Sequence, residues 1–211
     1  MSNPVIIGKA TLHNIDCMEL LKATPDKFYD LAIVDPPYGI GMAEKAPCGR
    51  LAKYGSVKQA DDGRPSKMFF DELKRVSKNQ VIWGGNYFGL EPTRCFFIWD
   101  KQQPEGVSFA SCEYAWTSFE KSAKTYYQRP QNADLERIHP TQKPVKLYEW
   151  LLTNYAKQGD KILDTHLGSG SHAIATNNLG FELTACELDK DYFDASVKRI
   201  TAAKAQERLF A

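Results

Sequence analysis

The sequence has few of the features that mark secreted, metal-binding or membrane-spanning chains. Its five cysteines are scattered and include no Cys-x-x-Cys pair, which argues against a disulfide framework and a structural zinc site. The four histidines match no zinc-ligand pattern, so we expect no metal. No apolar run approaches the ~20 residues of a membrane span, and the first residues lack the regions of a signal peptide. We therefore expect a cytoplasmic protein with no membrane partner.

An excess of charge of one sign is also missing. The 211 residues include 27 Lys and Arg against 26 Asp and Glu, a net charge of +1. Total charge therefore does not indicate a nucleic-acid partner, which must be inferred from local patches. Two segments carry such patches, and an ordinary solvated face is the alternative for either one. Their basic residues are Lys45, Arg50, Lys53, Lys58 and Arg64 in the first, and Lys121, Lys124, Arg129, Arg137, Lys143 and Lys146 in the second.

Apolar periodicity predicts strands that alternate with helices in a single domain, 1–211. The alternation is typical of an α/β fold with a mostly parallel sheet and helices on both faces. Residues 39–65 are predicted to form a mobile loop, because polar loops of that length are commonly functional lids. Strands are predicted at 10–16, 31–34, 80–83, 95–99, 113–119, 125–128, 161–164 and 181–187, and helices at 17–23, 66–76, 144–155, 171–179 and 189–209.

A glycine turn separates a predicted strand from a predicted helix late in the chain. It reads Asp164-Thr-His-Leu-Gly168-Ser-Gly170, and its glycines let a ligand approach the backbone closely. Glu187 ends the next strand, where a carboxylate accepts hydrogen bonds from ribose hydroxyls. These features predict a site for an adenosine-containing cofactor. A nicotinamide cofactor also fits the glycine spacing, but Asp164 would repel its pyrophosphate and suits a cationic amino group instead. The alternative is that the glycines only end a strand and Glu187 is a solvated acid.

A proline turn, Asp35-Pro-Pro-Tyr38, follows the apolar run at 31–34. Open α/β sheets bind ligands at the carboxyl ends of their strands. The prolines stiffen the turn, so that a carboxylate, a backbone carbonyl and an aromatic ring are presented together. These groups suit a planar ring that carries an exocyclic amine. The alternative is a tight surface turn with an exposed Tyr38.

In this order the two turns resemble those of the β-type amino-methylating DNA methyltransferases, which use S-adenosylmethionine. The resemblance extends over nearly the whole chain through four accessory segments. They are His13-Asn-Ile-Asp16-Cys17, Trp83-Gly-Gly-Asn86, Ile98-Trp-Asp-Lys101 and His139-Pro-Thr-Gln-Lys-Pro144. The chain departs from the family pattern at Thr165 and His166, where Pro and Phe are usual, and at Ser171, where Thr is usual.

The resemblance implies a Rossmann-like S-adenosylmethionine-dependent methyltransferase fold with a permuted motif order. It makes Asp35, Pro36, Pro37 and Tyr38 the catalytic turn: Asp35 and the Pro36 carbonyl accept the amine hydrogens, and Tyr38 stacks on a flipped-out base. Asp16 and Cys17 would lie against the cofactor's adenine, and Glu187 would hold its ribose. Thr141 and Lys143 would lie near its methionine carboxylate. For Lys143 the alternative is an ordinary solvated lysine. The other cofactor-site residues implied are Asp35, Asp164, His166, Gly168, Ser169, Gly170, Ser171 and Leu188. The sequence names no side-chain partner for His166 or His172, which are expected to pack or to lie at the surface.

The implied reaction is methyl transfer to adenine N6 in double-stranded DNA, because family members that act on cytosine N4 more often carry Ser in place of Asp35. Cytosine N4 stays open as the target. A related enzyme that acts on an RNA or on a protein amide would share the same cofactor site. A nicotinamide-dependent oxidoreductase would leave the proline turn unexplained, and a non-catalytic DNA-binding relative would not need Asp35 and Glu187. The implied target-recognition region, 102–137, is short, which indicates low or compact specificity. A homodimer and a cognate restriction endonuclease are compatible with the resemblance, which does not require either.

Overall fold

Nine strands form one sheet with helices on both faces in the computed structural model, which describes residues 3–40, 63–106, 110–130, 138 and 141–210, with side chains as far as 206. The strands are β1 (Val5–Ile7), β2 (Ala10–His13), β3 (Tyr29–Val34), β4 (Ser77–Trp83), β5 (Phe96–Asp100), β6 (Cys112–Thr117), β7 (Lys124–Tyr127), β8 (Lys161–Asp164) and β9 (Glu182–Cys186). The helices are α1 (Cys17–Ala23), α2 (Lys67–Val76), α3 (Val145–Tyr155), α4 (Ser171–Leu179) and α5 (Lys190–Phe210), with a 3₁₀ turn at Gly85–Tyr87.

The order of the strands brings distant parts of the chain to one edge of the sheet. The order is β1-β2-β9-β8-β3-β4-β6-β5-β7, and five of the eight described pairings are parallel. From β2 to β4 all neighbours are parallel, so their carboxyl ends meet at the same edge. Because β3 pairs with β8, the turns that begin at Asp35 and Asp164 become neighbours. The predicted mostly parallel, Rossmann-like α/β fold is confirmed.

Strand β3 shows why the sheet is covered on both faces. Leu31 and Ile33 pack into the core cluster under α3 and α4, whereas Ala32 and Val34 pack into the cluster under α1 and α2. Alternate side chains of a strand point to opposite faces, so a strand buried on both sides reads as a continuous apolar run.

Several predicted boundaries were wrong by a few residues. The strand predicted at 10–16 ends at His13, because Asp16 caps α1 by accepting a hydrogen bond from the Met18 N–H at 2.6 Å. The strands predicted at 113–119 and 125–128 are β6 and β7, which begin and end one or two residues earlier. The edge strand β1, of three residues, was not predicted.

Two expectations concern parts of the chain that the structure covers incompletely. Of the predicted mobile loop at 39–65, residues 41–62 lie outside the described residues, and so do 107–109 and 131–137 of the predicted recognition region. Within the described ranges no helix is long and apolar enough to cross a membrane. The same ranges contain no group of three or more His, Cys, Asp or Glu side chains that could hold a metal ion.

Candidate functional site

A cleft of about 540 Å³ opens where the carboxyl ends of β2, β3, β8 and β9 meet. Three carboxylates, the Phe69 ring and the proline turn contribute to its wall. The residues that line it are Asp16, Cys17, Met18, Pro37, Gly63, Pro65, Ser66, Phe69, Thr165, His166, Glu187, Leu188, Asp189 and Lys190. Five of the predicted cofactor-site residues are therefore brought together: Asp16, Cys17, His166, Glu187 and Leu188. Burial and the neighbouring Asp16 raise the pKa of Cys17 to about 11, so this side chain faces the cleft as a neutral thiol.

The glycine turn is held by two carboxylates. Asp164 Oδ1 accepts a hydrogen bond from the His166 N–H, and Glu187 Oε2 accepts one from the Gly168 N–H, both at 2.9 Å. Gly170 has a φ of +76°, and a Cβ at this position would lie 2.8 Å from the Ile200 side chain. Only glycine combines this backbone conformation with such a close approach. The turn is therefore fixed by the two acidic residues that the sequence singled out.

The other turn residues make contacts with α5. The hydroxyls of Ser169 and Ser171 lie 3.1 Å apart, and both side chains are buried. Arg199 donates hydrogen bonds to the Ser169 carbonyl at 2.8 Å and to Ser171 Oγ at 3.0 Å. Thr141 is exposed just before α3. Contact of these three predicted residues with a cofactor stays a prediction.

His172 has a partner that the sequence did not indicate. Its Nδ1 lies 2.9 Å from Asp164 Oδ2, and its ring stacks on Tyr148 at 4.7 Å between ring centres. The side chain is 1% exposed, and its Nε2 has no hydrogen-bond partner among the described residues. Asp164 thus holds the turn through one oxygen and His172 through the other. His172 is packed in the interior, as expected, and it also contacts the Asp164 carboxylate. His166 lies edge-on to Phe69 at 5.5 Å.

The proline turn is half-buried rather than an exposed surface turn. Tyr38 donates a hydrogen bond from its hydroxyl to Asp35 Oδ1 at 2.7 Å. Its ring stacks on Tyr87 at 5.3 Å and passes close to Gly84, which has a φ of +68°. Burial, reinforced by Asp35 and Glu113, raises the pKa of Tyr38 well above 10. The hydroxyl therefore stays a neutral donor to Asp35.

Four charged side chains meet beside this turn. The Lys143 ammonium lies 2.5 Å from Asp35 Oδ2 and 2.9 Å from Glu113 Oε2, and Lys101 lies 2.6 Å from Glu113 Oε1. Burial favours neutral Glu113, but Lys143 and then Lys101 outweigh it and lower its pKa to about 2. Burial likewise opposes the charge on Lys143, and Asp35 and Glu113 outweigh it, so the pKa of Lys143 is raised. Glu113 and Lys143 are therefore both ionised at neutral pH.

This arrangement corrects two interpretations of Lys143. The side chain is 3% exposed, so Lys143 is neither a solvated lysine nor part of a basic surface patch. Glu113 was not singled out from the sequence, where it is one acid in an alternating strand. Of the remaining patch residues, Lys45, Arg50, Lys53, Lys58 and Arg137 lie outside the described residues, as does the His139-Pro140 pair.

Comparison with known proteins agrees with this geometry. A family model described as DNA methylase, for the N6 and N4 methyltransferases, matches residues 59–198, more than half of the chain. The type II methyltransferase M.BglII of Bacillus subtilis is 22% identical over 94% of this chain and 71% of its own length.

Two solved structures share the fold. The M1.HpyAVI–SAM complex has a TM-score of 0.56 at 20% identity, covering 90% of this chain and 99% of that chain. PvuII DNA methyltransferase, described as cytosine-N4-specific, has a TM-score of 0.62 at 12% identity, covering 94% and 92%. At these identities the likeness shows the fold alone. With the family match, the paired turns at one sheet edge identify the chain: it belongs to the N6/N4 DNA methylase family.

Proposed function

We propose that the protein transfers a methyl group from S-adenosylmethionine to the exocyclic N6 of adenine in double-stranded DNA. One observation carries the proposal. The Asp35-Pro-Pro-Tyr38 turn and the glycine turn, 126 or more residues apart in the chain, lie side by side at the carboxyl ends of β3 and β8. A group that accepts amine hydrogens therefore stands beside a cleft suited to an adenosine.

The cleft fits this cofactor in size and chemistry. Its volume of about 540 Å³ lies within the roughly 300–1,000 Å³ of small-molecule sites. Phe69, Cys17 and Leu188 supply apolar walls for an adenine ring. The Glu187 carboxylate already accepts bonds from the Gly168 and Asp189 N–H groups, and its oxygens have further lone pairs for ribose hydroxyls. When bound, S-adenosylmethionine supplies a methyl group that its sulfonium charge has already activated.

The remaining cofactor contacts are proposals of the same kind. Asp164 and the backbone of Gly168 and Gly170 would face the methionine end. The Lys143 ammonium is already held by two carboxylates, so its implied contact with the methionine carboxylate would require it to move. Thr141 is exposed two residues before Lys143, and its implied contact with the methionine carboxylate is part of the same proposal.

The proline turn prepares the acceptor nitrogen. An exocyclic amine conjugated with its ring is a poor nucleophile. Asp35 and the Pro36 carbonyl would accept its hydrogens, favour a tetrahedral nitrogen and free its lone pair for in-line attack. The neutral Tyr38 hydroxyl holds Asp35 in place at 2.7 Å.

The target base must leave the duplex to reach this turn. Flipping costs a few kcal/mol, and stacking on an aromatic side chain returns roughly 1–3 kcal/mol. Tyr87 is stacked on Tyr38 and is 37% exposed, so it offers an exposed aromatic ring next to Tyr38 for the base. The region 102–137 is proposed to contact the DNA.

Cytosine N4 is the second candidate, because the fold is shared with a cytosine-N4-specific enzyme. Asp35 in the first motif position favours adenine as a family tendency. A homodimer, a cognate restriction endonuclease and a cytoplasmic location stay predictions.

The test is methylation of unmethylated genomic DNA with labelled S-adenosylmethionine, followed by nuclease digestion and identification of the modified nucleoside. We expect N6-methyladenine; N4-methylcytosine would keep the mechanism and change the base. Asp35→Ala should still bind the cofactor and transfer no methyl groups. Wild-type turnover by this variant would refute the role of Asp35.

A further inference from the structure

Both oxygens of Asp35 are engaged in the free protein. Oδ1 accepts the Tyr38 hydroxyl hydrogen, and Oδ2 accepts a hydrogen from the Lys143 ammonium. The proposed function requires this carboxylate to accept a hydrogen from the target amine as well. An ammonium in direct contact also neutralises the carboxylate charge and weakens it as an acceptor. Each oxygen keeps a second lone pair, so an incoming amine competes with Lys143 at Asp35 Oδ2 and meets an acceptor that the ammonium has weakened.

Lys143 has a second ion-pair partner within the site. Its ammonium lies 2.9 Å from Glu113 Oε2 and 3.2 Å from the Tyr38 hydroxyl, so its three hydrogens face Asp35, Glu113 and Tyr38. The side chain is 3% exposed, and a buried ammonium released from one carboxylate needs another. Glu113 supplies that partner at a distance that requires only a small movement.

The sheet topology holds Glu113 at this place. Strand β6 runs antiparallel to β4 and β5, so its first residues lie at the carboxyl end of β4 and beside Lys101, which follows β5. Lys101 forms an ion pair with the other Glu113 oxygen at 2.6 Å, which leaves Oε2 directed at Lys143. Glu113 is thus a rigidly held second carboxylate opposite the catalytic one.

We propose that Glu113 is a positioning residue that acts on Asp35 through Lys143. In the free protein the Lys143 ammonium stands in for the target amine on Asp35 Oδ2, and when the amine binds, Glu113 retains Lys143 so that Asp35 regains its full charge. This inference rests on the proposed function. It gives Glu113 the role of keeping the Lys143 ammonium from competing with the amine for Asp35.

The proposal predicts an unusual order of activities. Glu113→Gln removes the charge that draws Lys143 away, so Lys143 stays on Asp35 and kcat falls by about tenfold or more, the equivalent of one charged hydrogen bond. The double variant Glu113→Gln/Lys143→Met removes the blocking ammonium as well, and its kcat should exceed that of Glu113→Gln. If Lys143 only orients Asp35, the order reverses: Glu113→Gln is mild, and every variant that lacks Lys143 is severe.

The experiment measures kcat and KM for DNA by methyl incorporation and the Kd for S-adenosylmethionine by calorimetry. Glu72→Gln and Lys78→Met are controls that each remove one ion pair outside the site, and Lys78, 55% exposed, is less buried than Lys143. Glu72 is an ion-paired acid 23% exposed, close to the 19% of Glu113, and Lys78 pairs with Asp30 at the other end of the strands. Both controls should keep wild-type values. In Glu113→Gln the cofactor Kd should stay within about twofold of wild type while kcat falls, since a folding defect would alter both.

Two results overturn the inference: wild-type kcat in Glu113→Gln, or a double variant no more active than Glu113→Gln. If Glu113→Gln does not fold, as judged by its thermal melt, Glu113→Asp replaces it, because it keeps the charge but withdraws it from Lys143. A smaller fall in kcat is then expected, and an unchanged kcat counts against the proposal. Absence of methyl transfer by the wild-type protein would instead refute the proposed function.

Discussion

Gly84 allows the Tyr38 ring to lie where the proposed reaction needs it. Its φ is +68°, and a Cβ at this position would lie 2.3 Å from Tyr38 Cε1 and 2.5 Å from Cδ1. Non-bonded carbon atoms normally approach to about 3.5 Å, so in Gly84→Ala the ring must retreat by roughly 1.2 Å. The Tyr38 hydroxyl would then lose its place on Asp35.

The expected effects on stability and on activity differ in kind. A non-glycine residue in the left-handed region costs roughly 1–2 kcal/mol, which should appear as a lower free energy of unfolding. Displacement of a positioning group by about 1 Å costs on the order of 100-fold in rate, so kcat should fall by about that factor. Cofactor affinity should not change, because Gly84 does not line the cleft.

Gly89→Ala separates the two effects. Gly89 has a φ of +63°, and a Cβ at this position would have no atom within 4 Å. Its substitution therefore introduces the backbone strain without a contact to a neighbouring side chain. Urea denaturation should show a loss of roughly 1–2 kcal/mol for Gly89→Ala and a larger loss for Gly84→Ala, whereas methyl incorporation should fall only for Gly84→Ala. Equal activities of the two variants would falsify the claim that Gly84 fixes the Tyr38 ring.

Three further predictions follow from charges and packing around the site. The folded-state pKa of Glu113, about 2, lies below its ordinary 4.5, so Glu113 stabilises the fold above pH 4.5 and this contribution is lost as the pH falls towards 2. When the free energies of unfolding of the wild type and of Glu113→Gln are compared over this pH range, the variant should lose less stability. Parallel curves would contradict the ion pairing. His172→Phe keeps a ring but loses the hydrogen bond to Asp164, so the free energy of unfolding measured by urea denaturation should fall by about 1.5–3 kcal/mol. A loss under about 0.5 kcal/mol would show that this hydrogen bond is unimportant. Phe69→Leu removes an aromatic wall of the cleft next to His166, so the Kd for S-adenosylmethionine should rise several-fold by calorimetry, and an unchanged Kd would place the adenine elsewhere. Because Phe69 is also buried in the core, the thermal melt should fall as well.

The sequence was sufficient for the fold class and for the two turns because these depend on local signals. A strand buried on both faces, such as 31–34, is a continuous apolar run whatever its neighbours are. Asp35 and Asp164 follow such runs, and in a parallel sheet that alone places them at one edge. The edge strand β1 escaped prediction because three residues are too few to establish a period.

Partners across the sheet could not be predicted, because they depend on strand order rather than on spacing. Lys143 and Asp35 are 108 residues apart, and Glu113 reaches them only because β6 inserts antiparallel between β4 and β5. The bond from His172 to Asp164 spans eight residues, yet it forms only because the glycine turn reverses the chain into α4. In the sequence, a lysine and a histidine without such context resemble surface residues.

The balance of charge beside Asp35 explains how these groups can be buried together at all. Two carboxylates, Asp35 and Glu113, face two ammonium groups, Lys101 and Lys143, and each side chain is no more than 22% exposed. Removing one member leaves an uncompensated charge, which costs far more than the pair contributes. In the proposed reaction, Asp35 must nevertheless be free to accept a hydrogen from the target amine. A counter-ion shared between two acids meets both requirements, since it can leave Asp35 without becoming unpaired. The near-zero net charge of the chain gives no sign of this local arrangement, in which two acids share one buried ammonium.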